Sequence, residues 1–281
     1  MDYKTIIAAI DLAKDLGNSD IAIMDCRFYL PEPERGHLEY LDGHIPGAVY
    51  INLDQDLAGE IIPGITGRHP LPSAEVFADQ LSSWGIDRNT QVIAYDNMGG
   101  AMAARLWWML RWLGHDLTAV LDGGWNAWVR GDYPQVKGEQ TREQKTFLAE
   151  ENPALIADLE FVDKVRLDPD YLLVDARSPE RYWGLKETID VKAGHIPGAI
   201  TAPYVENMTD DEFFLSVEQL KERYQDLLEG IPAENVILYC GSGVTSIHSM
   251  IAMVLAGYDM PKLYPGSWSE WSSDPDRPIA P

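Results

Sequence analysis

Three things are scarce in this chain of 281 residues: cysteine, positive charge and long apolar runs. Cys26 and Cys240 are its only cysteines, so at most one disulfide can form and a disulfide-stapled scaffold is excluded. Lys and Arg number 22 against 45 Asp and Glu, a formal net charge of −23. Duplex nucleic acid and anionic membrane surfaces repel such a chain, so neither is expected as a partner. An anionic substrate would need cations gathered locally. No run of 18 apolar residues occurs, and the best stretch, 101–114, is broken by Arg105 and Arg111. The N-terminus does not read as a signal peptide, and the expectation is a cytoplasmic protein without a membrane segment. None of the six histidines has metal-ligand spacing, so no metal is expected; no cofactor is expected either. With 46% apolar and 24% charged residues, the composition is that of a folded protein, long enough for two domains.

The chain repeats itself. Asp25-Cys26-Arg27 and Gly43-His44-Ile45-Pro46-Gly47-Ala48 recur as Asp175-Ala176-Arg177 and Gly194-His195-Ile196-Pro197-Gly198-Ala199, at offsets of 150 and 151. Val92-Ile93-Ala94-Tyr95 recurs as Val236-Ile237-Leu238-Tyr239, and the pair Trp125/Trp128 as Trp268/Trp271, at offsets of 144 and 143. Four blocks in one order at nearly one offset mark a duplicated domain. The polar, poorly patterned stretch 137–151 marks the joint, and the expected division is 1–138, a linker at 139–157, and 158–281.

Each half alternates short apolar runs with helical spacing. Strands are expected at 21–25, 91–96 and 118–121, then at 171–175 and 235–239. Helices are expected at 73–84 with Ser73 as cap, at 101–113, at 217–228 and at 245–255. Ile6, Ile7, Ile10 and Ala13 are spaced for one face of an N-terminal amphipathic helix. The fold class is therefore α/β, each half a mainly parallel sheet with helices on both faces. In such sheets ligands bind beyond the carboxyl ends of strands, which points to the residues after Tyr95 and after Tyr239.

The two places differ. After Tyr239 the chain reads Cys240-Gly241-Ser242-Gly243-Val244-Thr245-Ser246 and enters a helix. A cysteine where loop amides and a helix N-terminus converge is placed to become a stabilised thiolate and to carry a larger anion on its sulfur. A lone cysteine is more often a small buried apolar residue. Here the first-half counterpart is Asp96, which cannot act as that nucleophile. Cys26 corresponds to Ala176, lacks a glycine loop behind it and reads as a packed structural thiol. His44 and His195 recur in both halves, including the one without a nucleophile, which argues for a structural role. The tryptophans at 107, 108 and 112 read as core, and Trp268 and Trp271 as walls of a cleft.

Across its whole length the sequence resembles the tandem-domain sulfurtransferases of the rhodanese and 3-mercaptopyruvate sulfurtransferase family. The resemblance implies two tandem rhodanese-like domains, the second carrying sulfur as a persulfide on Cys240. It assigns Arg181, in Ser178-Pro179-Glu180-Arg181-Tyr182, to donor binding, with Gly241, Gly243, Val244 and Thr245 of the loop and Arg68 as a second cation. Gly67-Arg68-His69-Pro70-Leu71-Pro72 resembles the segment that brings a histidine to the active-site serine. Carried over, His69 would contact Ser242 and Asp54 would orient the imidazole, a relay suited to moving protons near neutral pH.

The loop also bears on the sulfur donor. Thiosulfate-preferring relatives typically carry basic residues in the two positions after the cysteine, where this chain has Gly241 and Ser242. The expected donor is 3-mercaptopyruvate, a small anion with one carboxylate, and the expected acceptor is cyanide or a thiol, for instance a thioredoxin-like one. Mercaptopyruvate enzymes usually add a second arginine before the Gly-His-Ile-Pro-Gly-Ala block, and this sequence offers only Lys186 and Lys192 there. Thiosulfate is the alternative donor, and a non-catalytic sulfur carrier or sensor is the alternative from another class. A Cys-dependent phosphatase would need arginine six residues after the cysteine, where Ser246 stands. Nucleotide-binding glycine motifs are absent from the sequence.

Overall fold

A computed structural model describes residues 2–281. The chain forms two compact units, one of Met1–Gly59, Pro72–Asn152 and Asp210–Phe214, the other of Glu60–Leu71, Pro153–Thr209 and Leu215–Pro281. The first unit runs through β1 (Ile6–Ile7), α1 (Ala9–Lys14), β2 (Ile21–Asp25), α2 (Arg35–Asp42), β3 (Ala48–Tyr50), α3 (Leu53–Asp56), α4 (Ala74–Ser83), β4 (Gln91–Tyr95), α5 (Ala103–Trp112), β5 (Thr118–Leu121) and α6 (Gly124–Arg130). The second runs through α7 (Leu159–Val165), β6 (Leu172–Asp175), α8 (Pro179–Tyr182), β7 (Ile200–Thr201), α9 (Val217–Leu228), β8 (Val236–Tyr239), α10 (Ser246–Leu255), β9 (Lys262–Leu263) and α11 (Ser267–Trp271). Among the described residues no helix is long and apolar enough to cross a membrane.

Among those residues the sheets are five-stranded, β1-β5-β4-β2-β3, and four-stranded, β7-β6-β8-β9, with every strand pair parallel. Every residue of β2 and β4 is buried, which is why these strands read as continuous apolar runs. The registers repeat: Asp25 lies opposite Tyr95, and Asp175 opposite Tyr239. Helix caps follow the sequence signals. Ser73 Oγ accepts the Val76 amide at 3.3 Å, and Ser216 with Gln219 forms a reciprocal capping box at the start of α9.

The N-terminus departs from the expected amphipathic helix. Ile6 and Ile7 form an edge strand opposite Val120 and Leu121, the helix shrinks to Ala9–Lys14, and Ile10 is 57% exposed. Two adjacent β-branched residues extend the sheet, and Leu12 supplies the buried helical contact instead.

The recurring sequence blocks form one recurring structure. Arg27 Nη2 donates to Asp25 Oδ2 at 2.6 Å and to the Gly43 carbonyl at 2.7 Å, while Arg177 makes the same pair of bonds to Asp175 and Gly194, each at 2.7 Å. The guanidinium carbons lie 4.6 Å over Trp125 and 4.7 Å over Trp268. His44 and His195 each bring Nδ1 to a carbonyl, of Tyr40 at 2.7 Å and of Tyr182 at 3.0 Å, and stack on those same tyrosines. This is the structural role that their duplication suggested. The tryptophans of α5 are buried as expected. Trp268 and Trp271 are not cleft walls: both are fully buried in the apolar core of the second unit. The stretch after α6 runs without helix or strand, yet Lys145 and Phe147 donate amides to Ser82 and Glu150 donates to Leu113, each at 3.0 Å.

Candidate active site

The residues singled out after Tyr239 form the turn from β8 into α10, within the second unit. Cys240 is buried, and the Val244 amide donates to its Sγ at 3.3 Å. Burial by itself pushes the thiol up. The Thr245 hydroxyl and the Ser242 and Ser246 amides outweigh it, so the net position is below the ordinary thiol value. Gly243 has φ +71°, and a Cβ there would meet the Pro265 carbonyl oxygen at 2.5 Å, so only glycine lets the loop curl at this point.

The loop is fastened from the start of α11. The Cys240 amide donates to Ser267 Oγ at 3.2 Å, and the Trp268 and Ser269 amides donate to the carbonyls of Cys240 and Gly241 at 3.0 and 2.9 Å. Ser267 holds φ +55°, where its first-half counterpart is Gly124 with φ +52°. A serine in the left-handed region carries backbone strain of about 1 kcal/mol or more, and here its hydroxyl anchors the cysteine. Sequence reasoning missed Ser267; the readable signal was a serine replacing glycine in the aligned repeat.

Residues 60–71 belong to this same compact unit and bring in two of the expected groups. His69 Nδ1 lies 2.7 Å from Ser242 Oγ, with both side chains buried. Arg68 donates its amide to Ser269 Oγ at 3.0 Å and its Nη1 to Asp190 Oδ1 at 2.5 Å. Arg181, at the end of α8, donates Nε to Glu187 Oε2 at 3.0 Å and Nη2 to Asp190 Oδ2 at 2.6 Å. A methyl group built on Gly241 would lie 3.0 Å from Arg68 Nη2 and 3.4 Å from Arg181 Nη1. Two guanidinium groups therefore converge on the residue after the cysteine. Asp54 stands on α3 of the first unit, where its amide donates to the Asn52 side chain at 2.9 Å.

Lys186 is exposed beside Arg181, Ser178, Glu180 and Thr188 around an open cavity, and Lys192 donates to the Asp274 carbonyl at 2.7 Å. The acidic residues of that interval were not anticipated. Glu187 and Asp190 have side chains only 2% and 3% exposed, yet nothing in an acid-rich sequence separates them from their neighbours.

The first unit's counterpart site shows what its loop does without a cysteine. Asp96 is fully buried, and its carboxylate accepts the amides of Met98, Gly100, Met102 and Ala103 at 2.6–2.9 Å. Burial pushes this carboxyl up, and the four amides pull it back only in part. The ring of amides that would face a sulfur is filled by the protein's own anion. Cys26 is also buried, and its thiol is pushed well up by that burial and by Asp25, Asp96 and Asp56, as befits an inert packed thiol.

Comparison with known proteins identifies the family. The rhodanese-like domain family matches twice, over residues 8–130 and 160–274. The chain is 42% identical to a probable 3-mercaptopyruvate sulfurtransferase of Pseudomonas aeruginosa, covering 100% of this chain and 99% of that one. It is 38% identical to SseB of Mycobacterium tuberculosis, described as a putative thiosulfate sulfurtransferase, over 98% and 96% of the two chains. The solved structure of 3-mercaptopyruvate sulfurtransferase from Leishmania major superposes with a TM-score of 0.84 at 29% identity, covering 96% of this chain and 74% of that one. With two family matches that cover most of its length, and a cysteine loop in only the second of them, the chain belongs to the rhodanese family of sulfurtransferases, as a tandem-domain member.

Proposed function

We propose that the protein moves a sulfane sulfur from 3-mercaptopyruvate to a thiol or cyanide through a persulfide on Cys240. The observation that carries the donor choice is the 2.7 Å contact between His69 Nδ1 and Ser242 Oγ, beside the cysteine. The two donors differ in proton demand. Thiosulfate gives up its outer sulfur and leaves as sulfite, which needs no proton. With 3-mercaptopyruvate the Cys240 thiolate attacks the donor sulfur, the carbon–sulfur bond breaks, and its electron pair remains on carbon as the enolate of pyruvate. The proton that the donor sulfur loses must reach that carbon, and a buried hydroxyl–imidazole pair is suited to carry it.

In this reading Arg181 and Arg68 hold the donor carboxylate over Gly241, and the amides of Ser242, Val244 and Ser246 stabilise the persulfide anion. Cyanide then removes the outer sulfur as thiocyanate and returns the Cys240 thiolate. A thiol acceptor removes it as its own persulfide. A thioredoxin-like dithiol would go on to release sulfide while closing its disulfide. Thiosulfate is the second reading, supported by the convergence of two cations on the loop despite Gly241 and Ser242.

The test is kcat/KM for both donors on one preparation, with Cys240→Ser and Cys26→Ser beside the wild type. Expected are a preference of about tenfold or more for 3-mercaptopyruvate, one added sulfur on the Cys240 peptide by mass, and loss of transfer only in Cys240→Ser. A thiosulfate preference overturns the donor. Equal loss in the two variants overturns the carrier.

A further inference from the structure

The arginine pair over Gly241 does not stand alone. Asp190 bridges the two guanidinium groups, one carboxylate oxygen 2.5 Å from Arg68 Nη1 and the other 2.6 Å from Arg181 Nη2. Glu187 grips Arg181 from the far side, at 3.0 Å from Nε and 3.1 Å from Nη2, and lies 3.5 Å from Arg177 Nη1. Glu187 is itself fastened by the amides of Ile189 and Asp190, at 2.9 and 3.0 Å. The side chains of both acids are almost wholly buried, so little water screens them. Two consequences follow from this geometry. The acids occupy the outer edges of both forks, leaving Arg68 Nη2 and Arg181 Nη1 as the edges that face Gly241. They also cancel the two positive charges, so the site offers directed N–H donors with no net charge of its own.

We propose that Asp190, supported by Glu187, is a specificity-determining residue that sets which donor charge the loop accepts. A monoanionic donor such as 3-mercaptopyruvate can be held by the two directed N–H edges. Dianionic thiosulfate loses more, because its second charge meets no surplus cation in a protein of net charge −23. The inference rests on the reading of Arg181 and Arg68 as donor-binding residues. It gives the loop's missing basic residues a counterpart: the cations are present, but paired with resident carboxylates.

The experiment is Asp190→Asn, which keeps the shape and removes one negative charge. Measured on one preparation, the ratio of kcat/KM for thiosulfate to that for 3-mercaptopyruvate is expected to rise about tenfold, mainly through KM, the effect of one added unit charge a few ångströms from the ligand. Glu222→Gln, an exposed change on α9, controls for net charge and should leave the ratio as it is. Because the ratio is internal to each sample, partial unfolding cancels. Should Asp190→Asn turn over neither donor, protection of Cys240 from iodoacetamide by sulfate and by pyruvate reads the same ratio. A ratio unchanged or lowered by Asp190→Asn, whatever the absolute rates, overturns the proposal. A wild type that prefers thiosulfate overturns the donor reading instead, and the shift produced by the variant is scored separately.

Discussion

Cys26 and Cys240 are both buried and each directly follows an inner strand, and their immediate neighbours separate them. Around Cys26 the nearby charges are carboxylates, which add to burial in holding the thiol protonated. Around Cys240 hydroxyl and amide donors overcome burial. A thiol whose ionisation is shifted down gains reactivity at lower pH. Iodoacetamide is therefore expected to label Cys240 first, with a rate that climbs through a midpoint below the ordinary thiol value, while Cys26 stays unlabelled in the folded protein. Equal labelling of the two would contradict these environments. Ser242→Ala addresses the proton path: it should lower kcat with 3-mercaptopyruvate by about 10²-fold, the usual reach of a positioned acid–base group, and leave thiosulfate turnover within a few-fold. Parallel loss with both donors would make the serine a binding group only. Cys240 stood out in the sequence because a repeat supplies its own comparison, Asp96 against Cys240, whereas Arg181 and Ser242 were singled out only by the family resemblance. Glu187 and Asp190 were not legible, because burial is what distinguishes them from the other acidic residues, and burial is decided by the folded chain.

The turn from an inner strand into a helix is built twice, and each copy aims amides at the side chain that follows the strand. In the first unit that side chain is Asp96, held by four N–H groups. Asp96→Asn would set an NH₂ group against some of those donors, leaving buried amides unsatisfied. A loss of about 2–4 kcal/mol is expected in chemical denaturation, with Cys240 chemistry intact in the protein that remains folded. A loss under about 0.5 kcal/mol would show that the loop relaxes freely. Strands and helices of this kind were readable from period and caps: 118–121 and 217–228 are reproduced to the residue as β5 and α9. The N-terminus was misread for a physical reason. Two isoleucines satisfy a helical stripe and a short edge strand equally well, and the choice belongs to β5, more than a hundred residues away.

For the molecule as a whole, the net charge of −23 repels an anionic donor at long range, whereas the arginine pair beside Gly241 is already balanced by Glu187 and Asp190. Screening should therefore help. From about 0.01 M to 0.15 M salt the Debye length falls from roughly 30 to 8 Å, and kcat/KM for 3-mercaptopyruvate is expected to rise a few-fold. A fall would mean that an uncancelled cation dominates the approach. The duplication itself was legible from four repeated blocks. What no repeat could reveal is that Glu60–Leu71 of the first half folds with the second unit and Asp210–Phe214 with the first. Arg68 and His69 arrive in the second unit by that route. A gene split at the middle would yield one product with Cys240 but neither Arg68 nor His69, and another with those two residues and Asp96 at the sequence position of the cysteine. On the roles proposed for these residues neither half would work alone, so the two would be inherited, and lost, together.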